Sequence, residues 1–377
     1  MINRRLLTIA LGASAVLATL LSSGQPASAQ EEFKIGVVAS LTGGFAGPAK
    51  DSMDGIQAWI DGRGLEGKKI VLEVLDDETS PVGASNAFRR LASDEDIDMI
   101  YAIVPSSSVL AIKSLASEFK KPLVTAGAAD AIGIPADPWL FKVAPAVRDF
   151  MIVLANYTKD NGYKRIAMFN GTDAFGQAEI KAMKELAPEM GFEIVAEETY
   201  TAEDTNYNAQ LTNIRAADPD IIYSGAFGRA AILFYKQFKQ LGLDTHLVMG
   251  QSVVTASFFE GIGGAAEANG LMTPIQLGSF GPSVGGETAR LYAELEKNLG
   301  RQPNYFNTFG YDVGLITEAG VSGSDGTTQG IRDALEALKE LPAVNGPVTY
   351  TPEDHTGQNH ESIAIGRLED GKPVLPQ

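Results

Sequence analysis

The chain has 377 residues, of which 45% are hydrophobic and 20% are charged, so it is long enough for two domains with their own cores. Its 30 basic and 47 acidic residues give a net charge of −17, which argues against nucleic acid as a partner, because nucleic-acid binding relies on clustered Lys and Arg. The sequence has no cysteine and three histidines, which excludes disulfides and cysteine nucleophiles and argues against a histidine-rich metal centre.

The first thirty residues have the order of a secretory signal. Two arginines precede an apolar run over residues 6–21, and an Ala-Ser-Ala segment follows at residues 27–29. This order predicts a signal peptide over residues 1–29 that is cleaved before Gln30. The run is shorter than the ~20 apolar residues that span a bilayer, which disfavours the alternative, a membrane anchor. The predicted location of the mature protein is therefore the periplasm.

From Phe33 onward, short apolar runs alternate with longer segments of helical periodicity, which indicates βαβ units and mostly parallel sheets. The predicted strands of the first half are 33–39, 70–75, 99–104, 122–126 and 139–144. Those of the second half are 165–170, 192–200, 220–224, 246–250 and 270–277. Helices then follow at 287–299, 308–321 and 328–341, and strands resume at 347–350 and 362–368. The predicted fold is α/β, with two doubly wound, Rossmann-like lobes between which the chain crosses more than once.

Ligands of open α/β sheets bind beyond the carboxyl ends of the strands, beside helix N-termini. The residues at these positions are small, hydroxyl-bearing or aromatic. The resulting candidates for ligand binding are Phe45, Ser106, Ser107, Gly127, Ala128, Ala129, Phe175, Phe227 and Ser252. Serines at a helix start favour a carboxylate ligand, and the phenylalanines favour an apolar, aromatic-lined pocket. Arg148 is a further candidate for the ligand carboxylate, or else it pairs with a surface acid such as Asp149.

Enzyme motifs are missing from the sequence. The segment 42–47 lies where a dinucleotide loop would, but it is not GxGxxG, and the chain has neither a GKS/T element nor a GxSxG elbow. The acidic run 76–78 is interpreted as a solvated loop rather than a metal site. The pair Asp354-His355 is interpreted as a turn rather than an acid–base pair. We therefore predict a protein that is not an enzyme and that holds neither a metal nor a cofactor.

The chain resembles the periplasmic solute-binding proteins of ATP-driven (ABC) importers, in the branched-chain amino acid class, also called the leucine-binding or hydrophobic amino acid uptake class. The resemblance covers residues 33–377 and is carried by segments that occur in the family's order: IGVVASLTGGFAG, DGIQAWID, LDDETSP, PSSS, TAGAAD, GTDAFGQ and GPVTYTPEDHTG. It implies a type I periplasmic-binding fold in which hinge closure traps a ligand between two lobes. The partners it implies are a small-molecule ligand and a membrane permease, and the implied state is a monomer.

The resemblance also implies how the chain is divided. Lobe one would comprise residues 30–144 and 274–345, and lobe two residues 145–273 and 346–377. The three crossings between the lobes would then lie near 143–146, 273–276 and 345–347.

By the same resemblance, the ligand's carboxylate would contact Ser106 and the backbone of Gly127 and Ala129. Amino acid binders of this family have a hydroxyl residue at the position of Ala129 and an acid near Ser252, which together hold the ammonium group. Both are missing here, and a buried ammonium without a counter-charge costs several kcal/mol. An aromatic or 2-keto acid is therefore the favoured ligand. A hydrophobic amino acid is the alternative, because another acid such as Asp173 could take over. A periplasmic sensor subunit is a further alternative.

Overall fold

A computed structural model describes residues 31–376. The predicted signal peptide lies outside the described residues. Within residues 31–376, no helix has the length and apolar character that a bilayer crossing needs. The described chain forms two mostly parallel sheets flanked by helices, which confirms the predicted α/β fold class.

The first sheet has five parallel strands in the order β2-β1-β3-β4-β5. They are β1 (Glu31–Ala39), β2 (Lys68–Asp76), β3 (Met99–Ile103), β4 (Leu123–Thr125) and β5 (Leu140–Lys142). The central strands β3 and β4 are buried along their whole length because helices cover both faces of the sheet. This burial explains why the strands read as uninterrupted apolar runs rather than as alternating patterns.

The second sheet has seven strands in the order β14-β13-β10-β9-β8-β6-β7. They are β6 (Arg165–Gly171), β7 (Glu193–Tyr200), β8 (Ile221–Ser224), β9 (His246–Met249), β10 (Met272–Gln276), β13 (Ile363–Glu369) and β14 (Lys372–Val374). Strands β6 to β10 are parallel to one another, whereas β13 and β14 close the edge in antiparallel pairs. The two remaining strands, β11 (Thr349–Thr351) and β12 (Asp354–Gly357), form a separate hairpin.

The helices connect the strands as the periodicity predicts. In chain order they are α1 (Ala46–Gly62), α2 (Pro81–Ala92), α3 (Ser106–Phe119), α4 (Asp130–Gly133), α5 (Val147–Asp160), α6 (Ala174–Met190), α7 (Asn208–Ala216), α8 (Gly228–Gln240), α9 (Ala256–Ile262), α10 (Gly286–Leu299), α11 (Tyr305–Ser322) and α12 (Thr328–Glu336). Although α10 and α11 follow the second sheet in sequence, they pack on α1 beside the first sheet. The chain therefore returns to the first lobe.

Glycines permit an unusually close approach of α1 and α11. A Cβ atom on Gly310 would lie 1.9 Å from the carbonyl oxygen of Ser52, and one on Gly314 would lie 2.2 Å from the Trp59 ring. Only glycine fits at these two positions, so the packing of Trp59 and the position of α11 depend on them.

The hairpin β11–β12 packs on the first sheet. The Tyr350 hydroxyl donates to the Lys142 carbonyl oxygen, and His355 Nδ1 lies 2.8 Å from the Leu140 carbonyl oxygen while its ring stacks on Phe141 at 4.5 Å. The division expected from the resemblance assigns residues after 345 to the second lobe, whereas these contacts join the hairpin to the first. The expected boundary at 273/274 likewise falls inside β10, which stays in the second sheet to its end.

Buried hydrogen bonds tie the crossing segments together. The Gln276 amide donates to Gln358 Oε1 at 2.9 Å, and the Gln358 amide donates to the Gly346 carbonyl oxygen at 3.0 Å. Asp312 of α11 accepts the backbone N–H groups at 344 and 345, at 2.6 and 3.1 Å. Burial raises the Asp312 pKa to about 7, although these donors oppose the rise. The chain leaves the hairpin for the second sheet after Gln358, so we place the third crossing there.

Candidate ligand-binding site

A cleft of about 800 Å³, a volume that includes its opening to solvent, lies between the carboxyl ends of the two sheets. Eight of the ten residues predicted from sequence line it: Phe45, Ser106, Ser107, Gly127, Ala128, Phe175, Phe227 and Ser252. The other two, Ala129 and Arg148, do not line it. Loops of both lobes therefore meet at one cavity, as parallel strand ends do in open α/β sheets.

Phenyl rings from both lobes form the apolar wall. Phe45, which follows β1, makes edge-to-face contacts with Phe306 of α11 at 5.9 Å and with Phe227 of the second lobe at 6.2 Å. Phe227 in turn makes an edge-to-face contact with Phe175 at 6.3 Å. These distances are within the range of favourable aromatic pairs. The Phe45–Phe227 pair joins the two lobes across the cleft, so the cleft is closed in this structure.

Polar donors are concentrated at the lobe-one end of the cavity. Helix α3 begins at Ser106 without a side-chain cap, which leaves the N–H groups of its first turn without intrahelical partners. The Ser106 hydroxyl oxygen accepts the Ala129 N–H at 3.2 Å, so its own hydrogen is available to a group in the cavity. A helix N-terminus together with a hydroxyl donor is a suitable environment for a carboxylate.

The backbone donors differ from those that the resemblance implied. The Gly127 N–H donates to Thr125 Oγ1 at 3.1 Å, and the Ala129 N–H donates to Ser106, so neither is free for a ligand. Between them, the Ala128 N–H has no acceptor among residues 31–376, and Ala128 lines the cavity. The expected roles of the Gly127 and Ala129 N–H groups are corrected accordingly. Gly127 still matters for its size, because a Cβ there would lie 2.8 Å from Ile132 Cδ1.

Arg148 does not reach the cleft. Its guanidinium pairs with Glu185 of α6 on the surface, and its backbone N–H donates to Asp130 at 3.0 Å. Asp149, the alternative partner, instead accepts the backbone N–H groups of Ala146 and His360 at 2.9 and 3.0 Å. The first turn of α5 directs Arg148 outward, so the expected contact with a ligand carboxylate is wrong.

The lobe-two end of the cavity presents acceptors. Asp173 is the N-cap of α6, where one carboxylate oxygen accepts the Gly176 N–H at 2.9 Å, and burial raises the Asp173 pKa. Gln251 is buried and lines the cavity, and its Oε1 atom has no hydrogen-bond partner within the described range. The neighbouring Ser252 hydroxyl donates to the Ala226 carbonyl oxygen at 3.4 Å. A ligand can therefore meet donors at one end and acceptors at the other.

Sequence reasoning missed one wall entirely. Tyr305, Phe306, Phe309, Gly310 and Val313 of α11 line the cavity from the lobe-one side. These residues follow no strand, so the strand-end rule does not find them. The signal that was available is the spacing of aromatic residues at 305, 306 and 309, which places three rings at the start of one helix.

Two other sequence candidates have structural roles. The Asp76 carboxylate accepts the backbone N–H groups of Leu41 and Glu78, at 2.9 and 2.8 Å, and the Thr42 hydroxyl at 2.7 Å. These bonds fix the loop that carries Phe45. His355 is buried in the hairpin contact with β5, away from the cavity.

A family model for the periplasmic binding protein matches residues 32–372. The chain belongs to the periplasmic binding protein family. Members of this family bind small molecules in the periplasm and work with membrane permeases of ABC transporters; they are solute-binding proteins rather than enzymes.

Known proteins of this family align along almost the whole chain. A Leu/Ile/Val-binding protein, BraC3 of Rhizobium johnstonii, is 26% identical over 93% of this chain and 95% of its own. An extracellular ligand-binding receptor from Rhodopseudomonas palustris HaA2 has a TM-score of 0.84 and 25% identity, covering 92% of this chain and 100% of that one. An R. palustris solute-binding protein in complex with benzoate has a TM-score of 0.81 and 21% identity, covering 91% and 95%. The family model confirms the predicted family, and the structural likenesses confirm the predicted two-lobed fold.

Proposed function

We propose that this periplasmic binding protein captures a small carboxylate with an aromatic or 2-keto body and delivers it to the permease of an ABC importer. One observation carries the proposal: three kinds of donor meet at one end of a cavity whose other walls are mostly apolar. They are the N-terminus of α3, which has no side-chain cap, the Ser106 hydroxyl, and the Ala128 N–H, which has no acceptor among residues 31–376. Such a cavity suits an anion attached to an apolar body.

The donor set favours an anion on energetic grounds. A carboxylate that leaves water needs several hydrogen bonds in return, and charge-assisted bonds to N–H and O–H groups are about twice as strong as neutral ones. The start of α3 supplies N–H groups and the positive end of a helix dipole. None of the cavity-lining residues among the described ones is Lys or Arg, so these groups are the direct donors.

The apolar walls favour a flat or hydrophobic body. Phe45, Phe175, Phe227 and Phe306 surround the cavity with rings in edge-to-face contact, an arrangement into which another ring or a branched alkyl group can pack. The R. palustris relative solved with benzoate shares the fold, which supports an aromatic acid as a ligand that this architecture accommodates.

A hydrophobic amino acid is the second candidate, favoured by Asp173 in the cavity and by the name of the BraC3 relative. Asp173 is a weak counter-charge for an ammonium, because burial raises its pKa and one of its oxygens already caps α6. The ammonium would then rely on Asp173 and the neutral Gln251 Oε1 atom.

Matched ligand pairs test the proposal directly. Leucine and 4-methyl-2-oxopentanoate share a carbon skeleton and differ in the ammonium and keto groups, and phenylalanine and phenylpyruvate form a second such pair. After co-purified ligand has been removed by unfolding and refolding, we expect calorimetry to show tighter binding of the keto acid in each pair, and binding of benzoate. Tight binding of leucine without binding of keto or aromatic acids would contradict the proposal and establish the second candidate.

Removal of the Ser106 hydroxyl is expected to weaken binding of the acid that binds best. Ser106→Ala deletes the hydroxyl donor and also leaves the Ala129 N–H without its acceptor. We expect a loss of about 1–3 kcal/mol, which is roughly 5- to 150-fold in the dissociation constant measured by calorimetry. Ser93→Ala, at the exposed end of α2, is the matched control and should bind as the wild type does. An unchanged affinity in Ser106→Ala would place the carboxylate elsewhere.

A further inference from the structure

A lysine is buried directly behind the donor end of the cavity. Lys142, the last residue of β5, has no exposed surface, and its Nζ donates to the Ala128 carbonyl oxygen at 3.3 Å. Within residues 31–376 its ammonium group forms no ion pair with a carboxylate. Since Ala128 lines the cavity, an unpaired cation stands one peptide group behind the cavity wall. Burial of such a charge is costly unless something compensates it.

One peptide group connects this ammonium to the cavity. The carbonyl oxygen of Ala128 accepts from Lys142, and the N–H of the same peptide group, which belongs to Ala129, donates to Ser106 Oγ. Ser106 lines the cavity and has a hydroxyl hydrogen left to donate. Ammonium, peptide and hydroxyl therefore form a continuous chain of hydrogen bonds that all point the same way. In a low-dielectric interior, the members of such a chain polarise and strengthen one another.

We propose that Lys142 is a positioning residue that makes the cavity selective for anions, acting through the 128–129 peptide group and Ser106 without touching the ligand. This inference rests on the proposed function, since it assigns the source of the carboxylate selectivity at the same site. A ligand carboxylate supplies the negative charge that the protein does not place next to Lys142. A neutral ligand of the same shape leaves that charge uncompensated.

The charged groups around Lys142 fit this role. Asp130 of α4, Asp149 of α5 and Asp354 of β12 face it at longer range, and Lys113 of α3 adds a like charge. The three carboxylates already accept hydrogen bonds from backbone N–H groups. Burial, which these acids only partly offset, lowers the Lys142 pKa to about 8. A carboxylate that enters the cavity is expected to raise that pKa again, because the opposite charge favours the protonated amine.

Comparing the affinities of a carboxylate and its carboxamide distinguishes selectivity for charge from selectivity for shape. Benzoate and benzamide have nearly the same shape and differ in charge, so calorimetry with both gives a ratio of affinities that general damage to the site does not change. We expect Lys142→Met to weaken benzoate binding about 10- to 100-fold, as expected for loss of a nearby charge at an effective dielectric of about 20. Benzamide binding should change by less than about twofold, because that ligand has no charge for Lys142 to attract.

A stability measurement and a second variant show whether a loss of affinity comes from misfolding of Lys142→Met. A buried neutral side chain avoids the desolvation of an ammonium, so the ligand-free melting temperature of Lys142→Met should equal or exceed that of the wild type. Lys142→Gln keeps a donor for the Ala128 carbonyl oxygen but removes the charge. It should therefore show the same loss of benzoate preference, which attributes the effect to the charge.

Proton uptake provides an independent readout. At pH 8 about half of the Lys142 side chains are neutral in the free protein, so benzoate binding should draw up to about half a proton onto each. Calorimetry in two buffers whose ionisation enthalpies differ measures this uptake: phosphate and Tris at pH 8, and phosphate and Mes at pH 6. Burial raises the pKa of Glu179 to about 8 and that of Asp312 to about 7, so these two groups also titrate near pH 8 and add to the measured proton uptake. The difference in proton uptake between wild type and Lys142→Met is the contribution of Lys142. This difference should vanish at pH 6, where Lys142 is protonated with or without ligand.

The outcomes separate this inference from the proposed function. If benzoate binds the wild type, but Lys142→Met weakens benzoate and benzamide equally and leaves proton uptake unchanged, the role of Lys142 is overturned and the proposed function stands. If the wild type binds neither benzoate nor any of the keto acids, both are overturned. If it binds only a keto acid, the comparison is made with that acid and its amide in place of benzoate and benzamide. A selective loss of benzoate affinity together with the missing proton uptake supports both.

Discussion

Gly228→Val is expected to abolish closure of the cleft while leaving the fold intact. Gly228 begins α8 in the second lobe with φ +55°, and a Cβ atom there would lie 2.8 Å from the carbonyl oxygen of Gly44 in the first lobe. A valine would add two further carbons at this contact between the lobes. We expect ligand affinity to fall about 100-fold, or ~2.7 kcal/mol, because the ligand then keeps the contacts of one lobe only.

The other end of the same helix supplies a control. Gly242 follows α8 with φ +63°, and within the described part of the chain no atom lies within 4 Å of the position that a Cβ would take there. Gly242→Val therefore imposes a similar backbone strain without a clash between lobes. Both variants should lose similar amounts of stability in thermal unfolding, and only Gly228→Val should lose affinity. Small-angle scattering should show ligand-induced compaction in Gly242→Val and none in Gly228→Val. Equal affinities in the two variants would mean that the Gly44–Gly228 approach is not part of the bound state.

Gly310→Ala is expected to have the largest effect on stability. The new methyl group would lie 1.9 Å from the Ser52 carbonyl oxygen, so α11 cannot keep its distance from α1. The separation of these helices also disturbs the cavity, which both of them line. Overpacking of this kind costs about 3 kcal/mol, and we expect a clear fall in the denaturant midpoint together with weaker ligand binding.

Gly47→Ala is the matched substitution for this test. Gly47 lies in the first turn of α1, and a Cβ there would make an ordinary contact of 3.5 Å with Ser257 Oγ. An alanine in a helix is favoured over glycine by up to ~1 kcal/mol, so this variant should be as stable as the wild type or slightly more so. If Gly310→Ala were equally harmless, the close helix contact would not be needed for the fold.

The elements of the fold were predictable because their signals are local. The buried strand 99–103 is an uninterrupted apolar run, and α10 and α11 show helical periodicity over three or more turns. The hairpin β11–β12 was not assigned to the right lobe, because its place depends on contacts of Tyr350 and His355 with β5, more than 200 residues away. A boundary set by long-range packing leaves no mark in the local pattern.

The site was predictable in part for the same reason. The strand-end rule identified eight residues that line the cavity. It could not identify the free backbone N–H group, because the N–H groups of Gly127 and Ala129 donate to Thr125 and Ser106 and, within residues 31–376, only that of Ala128 remains available. Lys142 was missed because a lysine at the end of a short strand is typical of an exposed position. Its complete burial follows from the packing of α4 and the hairpin against β5.

Helix α11 contacts both the ligand cavity and the crossing segments. Phe309 and Val313 face the cavity, while Asp312, between them in sequence, holds the backbone at 344 and 345 through two N–H groups. A bulky ligand substituent on this side would press on a helix that is bonded to the crossing segment at 344–345 and packed closely on α1. We therefore expect this wall of the cavity to be rigid. On the opposite side, the Phe45–Phe227 pair joins the two lobes at 6.2 Å, so we expect these two rings to separate when the lobes part. We therefore expect ligand size to act in two ways. A ligand too large on the α11 side should not bind at all, whereas a ligand larger on the Phe45–Phe227 side should bind with the lobes less fully closed.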